Sequence, residues 1–241
     1  LGKVKFITQF LLFHRSTAAV AFDAYLTAEA GDPSGLALMS LAYDFMIPSM
    51  VTWGDWIAKG SGDYTADRDW LTEMNPENTV IGSPVSLLVG GSTQLGGGWP
   101  VSSIPDEYLS VQPSDIETLV VSGSVDYSTP ASHATEELMP TLQNGKQVIL
   151  SEFGHFNDVW KLQPEATRHL LVTFFENGEV DDSHFTYEKM NYKLGLMRLP
   201  LLAKVVMAII ILLPFLVVFV VKRFLKNAGG TQKAVNEKDK E

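Results

Sequence analysis

Two short turns, each placed directly after an apolar run, constrain the fold of this chain more than any other feature. The turn at 123–130 (GSVDYSTP) follows the β-branched run at 116–122, and the turn at 152–155 (EFGH) follows the run at 147–151. Apolar runs of this length that end at turn residues are typical of buried strands. The sequence therefore predicts two strands, each followed by a loop that carries a titratable side chain.

Helical patterns connect these strands and follow them. The first begins at Thr129-Pro130 and stops at Asn144-Gly145, and the second runs from Pro164 to Asn177-Gly178. Proline is favoured in the first turn of a helix, and glycine is favoured just after its end. A strand, helix, strand and helix with short links predict parallel strands, and therefore an α/β fold.

Asp126 and His155 lie in the two turns, 29 residues apart along the chain. Because parallel strands end at the same edge of a sheet, we expect these side chains to be neighbours in space. An aspartate that orients an imidazole, and an imidazole that moves a proton, are two members of a hydrolytic triad. Asp158 is an alternative, local partner for His155. No serine of the chain lies in a Gly-x-Ser-x-Gly turn after a strand, so the nucleophile is missing.

Composition excludes several classes of function. The 241 residues carry a formal net charge of -10, which disfavours nucleic acid as a partner. The chain has no cysteine, which rules out a disulfide framework and any thiolate nucleophile or metal ligand. No phosphate-binding glycine motif and no histidine spacing typical of metal sites occurs, so we expect neither a cofactor nor a metal. A weaker alternative is a metal-dependent hydrolase that uses Asp126, His155 and another carboxylate.

The C-terminal part contains a membrane-spanning pattern. Residues 205–221 carry no charge, and with the preceding residues the apolar segment at 199–221 is long enough to cross a bilayer. Lys222, Arg223 and Lys226 follow it closely, which favours a cytoplasmic tail and places the acidic body outside the cytoplasm. We expect a single-pass membrane protein with a polar tail at 222–241, which is disordered from Asn227 onward.

The remaining segments complete the predicted organisation. Residues 1–100 have helical periodicity and many aromatic side chains, including an apolar helix expected to stop before Pro48, and they form a cap-like region. Residues 101–178 form the α/β core, and residues 179–198 connect this core to the membrane helix. We interpret the glycine run at 96–98 as a plain loop rather than an oxyanion hole.

The two turns resemble the C-terminal part of the α/β-hydrolase family. The acid turn Gly123-Ser124-Val125-Asp126 with Thr129-Pro130, and the turn at 152–155, are similar to those of its tripeptidyl-peptidase-like and proline-iminopeptidase-like branch. The resemblance covers about 116–175. It implies that Asp126 is the triad acid, that His155 is the base, and that the first 100 residues are a helical cap. In that family the nucleophilic serine precedes both residues, so we expect it upstream of Leu1.

The expected protein is therefore the C-terminal portion of a membrane-anchored serine hydrolase, whose fold class is the C-terminal part of an α/β-hydrolase sheet. Its expected partners are a small ester or peptide substrate, the lipid bilayer at 199–221, and the N-terminal half of the same chain, which carries the nucleophile. The resemblance implies an acyl-enzyme route without a cofactor. The alternative is a non-catalytic relative that serves as a membrane-tethered binding module.

Overall fold

The computed structural model of this protein describes residues 2–50, 52–62, 69–74, 79, 81–84, 104–195 and 197–238. Within these ranges the chain is mostly helical, with one small parallel sheet. The first part consists of helices α1 (Gly2–Leu12), α2 (Arg15–Glu29), α3 (Ser34–Met50), α4 (Trp53–Gly62) and α5 (Trp70–Met74). The rest contains β1 (Thr118–Gly123), α6 (Ala131–His133), β2 (Gly145–Leu150), α7 (Asn157–Lys161), α8 (Pro164–Asn177) and α9 (Leu199–Lys238).

The sheet consists of β1 and β2, which pair in parallel with Thr118 opposite Gly145 and Gly123 opposite Leu150. The prediction of two parallel strands is confirmed, with strand limits that differ by one to two residues from the expected ones. Because both strands end at the same edge, the turn that follows each of them emerges on the same side of the molecule. This edge carries the candidate site.

The segment between the strands is less regular than predicted. After α6 the chain forms a π turn at Ala134–Leu138 and then a 3-10 turn at Met139–Thr141, instead of one α-helix. Pro140 explains the change, because its ring has no N–H and clashes with the preceding turn of an α-helix. The prediction of a single helix here is wrong, although the crossover still returns the chain to a parallel strand.

The first three helices and the start of α9 share one apolar core. Its buried side chains are Phe6, Ile7, Ala24, Met39, Ile47 and Leu199. Gly35 permits the close approach of these elements, because a Cβ there would lie 3.3 Å from both Ala24 Cα and Leu199 Cδ2. Helix α3 continues past Pro48 to Met50, so the predicted stop before this proline is wrong. Pro48 lies in the last turn, where the carbonyl that it leaves unpaired is that of the exposed Asp44.

A second core lies under the sheet, between β2 and the two helices that follow it. It consists of Val148, Leu150, Phe153, Val159 and Leu170. Helix α8 begins at Pro164 and ends before Gly178, which adopts a left-handed conformation with a φ of 68°. Glycine adopts this conformation without strain, so the predicted end of this helix is confirmed.

The apolar C-terminal segment forms a helix that extends well past the predicted span. Helix α9 continues to Lys238, so the expectation of a disordered tail from Asn227 onward differs from the structure up to Lys238. Its segment Leu199–Phe224 contains an 18-residue stretch with a mean hydropathy of 3.0, none of which is buried. By length and composition it is a candidate membrane span.

Candidate active site

The acid turn and the histidine turn are connected through their backbones. Beyond the end of β1, the Ser124 N–H donates to the Leu150 carbonyl at 2.9 Å, and the Val125 N–H donates to the Phe153 carbonyl at 3.0 Å. Ser124 also accepts a hydrogen bond through its hydroxyl, from the Glu152 N–H at 2.8 Å. These bonds extend the pairing of the strands into the turns and fix the distance between Asp126 and His155.

Asp126 and His155 are in direct contact. Asp126 Oδ2 lies 2.9 Å from His155 Nδ1, within the range of a good hydrogen bond. The aspartate side chain is 6% exposed, whereas the imidazole is 28% exposed. The structure therefore brings together the two residues that the sequence singled out, with the acid buried and the imidazole reaching solvent.

Two hydroxyl groups of the acid turn surround this pair. Ser128 donates its backbone N–H and its hydroxyl to Asp126 Oδ1, both at 2.9 Å. Thr129 donates its backbone N–H to Oδ1 at 3.0 Å and its hydroxyl to Oδ2 at 2.8 Å. The two hydroxyl oxygens also lie 2.9 Å and 3.2 Å from His155 Nδ1. The sequence did not predict a role for Ser128 or Thr129, although both lie in the acid turn at 123–130.

The surroundings of Asp126 keep it ionised. Burial acts to raise the pKa of this carboxyl, but hydrogen bonds from the Thr129 N–H, His155 and the two hydroxyls outweigh it, and the net pKa is lowered. The carboxylate is therefore charged at neutral pH and can only accept hydrogen bonds. Because Nδ1 faces an acceptor, the ring proton of a neutral His155 lies on Nδ1.

This protonation leaves the other ring nitrogen, Nε2, with a free lone pair. In the part of the chain that the structure describes, Nε2 forms no hydrogen bond. Ser128 lies on the Nδ1 side of the ring and donates its hydroxyl proton to the carboxylate, so it is not placed to act as a nucleophile. The arrangement can accept a proton at Nε2 and stabilise the resulting imidazolium with a buried carboxylate.

Close approach of backbone atoms requires glycine at position 123, where β1 ends, and at position 154, in the histidine turn. A Cβ at Gly123 would collide with the carbonyl oxygens of Phe153 and Gly154. A Cβ at Gly154 would lie 2.7 Å from both Asp158 Oδ2 and the Phe13 carbonyl oxygen. The absence of a side chain at these positions allows the two turns to approach each other and the helical region.

The turn between α1 and α2 holds the histidine turn in place. The His155 N–H donates to the Phe13 carbonyl at 2.6 Å, and the rings of Phe13 and His155 lie 5.5 Å apart between centroids. Asp158, which is 3% exposed, accepts the N–H groups of Arg15 at 2.8 Å and Gly154 at 2.9 Å through Oδ2. The interpretation of Asp158 as a local partner of the His155 ring is therefore wrong, because its carboxylate binds backbone amides instead.

Glu152 is the only non-glycine residue with a positive φ, 63°, among the residues that the structure describes. It lies two residues beyond the end of β2, and its carboxylate accepts the Met190 N–H at 2.9 Å and the Tyr187 hydroxyl at 3.3 Å. Such backbone strain persists only where surrounding contacts fix the conformation. Glu152 thus connects the segment at 179–198 to the turn that carries His155.

A cavity lies next to the acid turn. It has a volume of about 440 Å³ and is lined by Glu73, Met74, Thr79, Ile81, Gly82, Ser83 and Tyr127. The Tyr127 hydroxyl donates to the Gly82 carbonyl at 2.9 Å, and burial raises the pKa of this tyrosine. The cavity is large enough for a small ligand or a substrate side chain.

His133, His169 and His184 form contacts away from this pair. His133 lies 3.1 Å from Glu137 on an exposed helical face, and His169 lies 2.8 Å from Asp181 and stacks on His184. Among the described residues, no group of three or more potential ligands is placed to hold a metal ion. The glycine run at 96–98 lies outside the described residues, so its predicted role as a loop is not addressed by the structure.

An aspartate and a histidine meet at the ends of adjacent parallel strands, an arrangement that suits proton transfer. Residues 91–186, which include both turns, match the model of the family described as TAP-like protein. This match places residues 91–186 in the TAP-like family of α/β-hydrolases. No curated protein and no solved structure matches the chain significantly.

Proposed function

We propose that this chain supplies the triad acid, Asp126, and the triad base, His155, of a serine hydrolase that cleaves ester or peptide bonds. The observation that carries this proposal is the 2.9 Å hydrogen bond between Asp126 Oδ2 and His155 Nδ1, with Nε2 left unpaired among the described residues. Membership in a hydrolase family supports it. The two-stranded sheet is then the C-terminal part of a larger α/β-hydrolase sheet.

The chemistry assigned to these residues follows from their arrangement. Nε2 of His155 takes the proton of a serine hydroxyl as that oxygen attacks the substrate carbonyl, and it then returns the proton to the leaving group. Water repeats the sequence to release the acyl group. Asp126 keeps the imidazole in the tautomer with Nδ1 protonated and stabilises the imidazolium. The serine belongs to a part of the protein that precedes this chain in the order typical of α/β-hydrolases.

An exposed apolar surface is available for contact with the part of the protein that would carry the serine. Large apolar side chains are exposed on α7, on α8 and in the turn before α7, at Phe156, Trp160, Val172 and Phe175. A two-stranded sheet is also too small to be stable without further strands or helices against it. We propose that the nucleophile-bearing half packs on this surface and completes the sheet.

Labelling with a fluorophosphonate, which reacts with activated serines, tests this proposal. The protein expressed with the residues that precede this chain is expected to be labelled, and His155→Ala is expected to abolish labelling. His133→Ala is the matched control, because His133 is 69% exposed and its ion-pair partner among the described residues is Glu137, in the π turn that follows α6. The control is expected to react at the wild-type rate.

Three outcomes would contradict the proposal. Equal labelling of wild type and His155→Ala would show that His155 is not the base. A folded protein that is never labelled, with or without its upstream residues, would favour the non-catalytic, membrane-tethered binding module. Loss of activity on treatment with a chelator would instead favour metal-dependent hydrolysis.

We also propose that residues 199–221 anchor the protein in a membrane, with the acidic body outside the cytoplasm and the C-terminal end inside. The hydropathy and exposure of this part of α9 support the anchor, and Lys222 and Arg223 support the orientation. Because the chain has no cysteine, single cysteines can report the sidedness. An impermeant maleimide applied to intact cells is expected to label Ser132→Cys and not Asn227→Cys, and the reverse pattern would refute the orientation.

A further inference from the structure

An apolar groove of about 540 Å³ separates α3 from α9. Its walls are formed on one side by Ala37, Leu38 and Leu41 of α3, and on the other by Met207, Ala208 and Ile211 of α9. At one end of the groove lie Ser34 and Lys204. The groove is partly enclosed and almost entirely apolar, which makes it unsuited to contact with water.

Polar contacts fix the base of α9 on the helical region. Asp23 of α2 accepts the Leu199 N–H at 2.8 Å and the Arg198 side chain at 3.1 Å. Lys204 donates to Asp32, in the turn between α2 and α3, at 2.7 Å. The buried Leu199 and Ala203 complete this contact. These contacts therefore hold α3 beside α9 at a fixed position along the axis of α9.

At this position, part of α3 lies beside the apolar run of α9. Ile211 lies seven residues beyond Lys204, which at about 1.5 Å per residue is roughly 10 Å further along the helix axis. The groove residues of α9 at 207–211 all belong to the uncharged run at 205–221. A bilayer that surrounds this run also surrounds the residues of α3 that face it across the groove.

The composition of α3 fits the same environment. From Ser34 to Met50 its only charged residue is Asp44, which pairs with Lys3 of α1 at 2.5 Å. Toward its C-terminal end Phe45, Met46 and Met50 are between 49% and 74% exposed. The Asp32–Lys204 pair, in contrast, lies at the end of the groove where a polar headgroup layer is expected.

We infer that α3 is immersed in the outer part of the bilayer beside α9, and that the groove between the two helices is occupied by a lipid acyl chain. This inference rests on the proposed membrane anchor. The helical region would then contact the membrane through two helices, of which only α9 crosses it. Lipid is the occupant because the groove opens onto the same apolar face that the anchor presents to the hydrocarbon.

Nitroxide labels on single cysteines test this inference in the full chain, reconstituted in vesicles of palmitoyl-oleoyl phosphatidylcholine. The three variants are Ala37→Cys in the groove, Leu212→Cys on the exposed face of α9, and Ser132→Cys on the exposed surface of α6. Accessibility to oxygen, which partitions into lipid, is compared with accessibility to a nickel chelate, which stays in water. We expect the ratio of the two at Ala37 to resemble that at Leu212 and to exceed that at Ser132 at least severalfold.

The outcomes separate the inference from the anchor on which it rests. A lipid-exposed label at Leu212 with a water-exposed label at Ala37 would overturn the inference and leave the anchor intact. Water exposure at both positions would overturn the anchor and the inference together. A label at Ala37 that neither reagent reaches would show that protein fills the groove, which would also overturn the inference.

Discussion

Replacement of Asp126 by asparagine tests the assigned chemistry, because the structure dictates how the amide must lie. Oδ1 accepts two backbone N–H groups, from Ser128 and Thr129, and only an oxygen satisfies them. The asparagine oxygen therefore occupies the Oδ1 position, and its NH₂ group takes the position of Oδ2. The NH₂ group then faces His155 Nδ1 at about 2.9 Å.

This orientation reverses the tautomer of the imidazole. A donor opposite Nδ1 requires Nδ1 to accept, so the ring proton moves to Nε2 and the base loses its lone pair. The reverse rotamer would place the NH₂ group against two backbone N–H groups, and each unsatisfied buried donor costs about 1–3 kcal/mol. By analogy with the serine-protease triad we expect a rate loss of about 10⁴, equivalent to about 5 kcal/mol of transition-state stabilisation.

The assay is the rate of fluorophosphonate labelling of Asp126→Asn relative to wild type, in the protein that includes the residues preceding this chain. Proton NMR provides a second measurement, since the strongly downfield Nδ1–H signal of His155 is expected to disappear in the variant. Retention of labelling within about tenfold of wild type, with the fold intact, would refute the tautomer argument.

Three further predictions concern the support of the site. Asp158→Ala leaves two amides unpaired and is expected to lower the free energy of unfolding by about 2–5 kcal/mol in denaturant titrations, against under 1 kcal/mol for the exposed Asp55→Ala. Since the folded pKa of Asp126 is lowered, its ionisation stabilises the fold above about pH 4, and this stabilisation is lost as the pH falls through the folded pKa, a loss absent in Asp126→Asn. Gly123→Ala is expected to lower the melting temperature markedly, whereas Gly195→Ala, in open space, is not; equal effects would contradict the close-approach argument.

Local sequence signals predicted the sheet edge and its acid–base pair because each signal acts within a few residues. β-branched runs specify the strands, and Gly178 ends α8 through its left-handed conformation. The support from Phe13 could not be predicted, because its carbonyl reaches His155 from 142 residues away and no local pattern encodes that contact. Pro48 and Pro140 account for the two errors in the predicted helices. One lies in a last turn that tolerates it, and the other converts a helix into tighter and wider turns.

The contacts of the histidine turn also show that the site depends on more than the region that matches the family model. That match covers residues 91–186, whereas the Phe13 carbonyl and the Arg15 N–H that hold the turn belong to the helical region. From Phe13 a row of aromatic rings continues through Phe10 and Phe6 along α1, with centroids 5.2 Å apart at each step, and reaches Tyr43 of α3 at 5.3 Å. Helix α1 is thus a rigid connection between α3 and His155, because its successive contacts are packed rings and not a flexible link. The position of the imidazole that the proposed reaction uses as its base is therefore supported by packing outside residues 91–186.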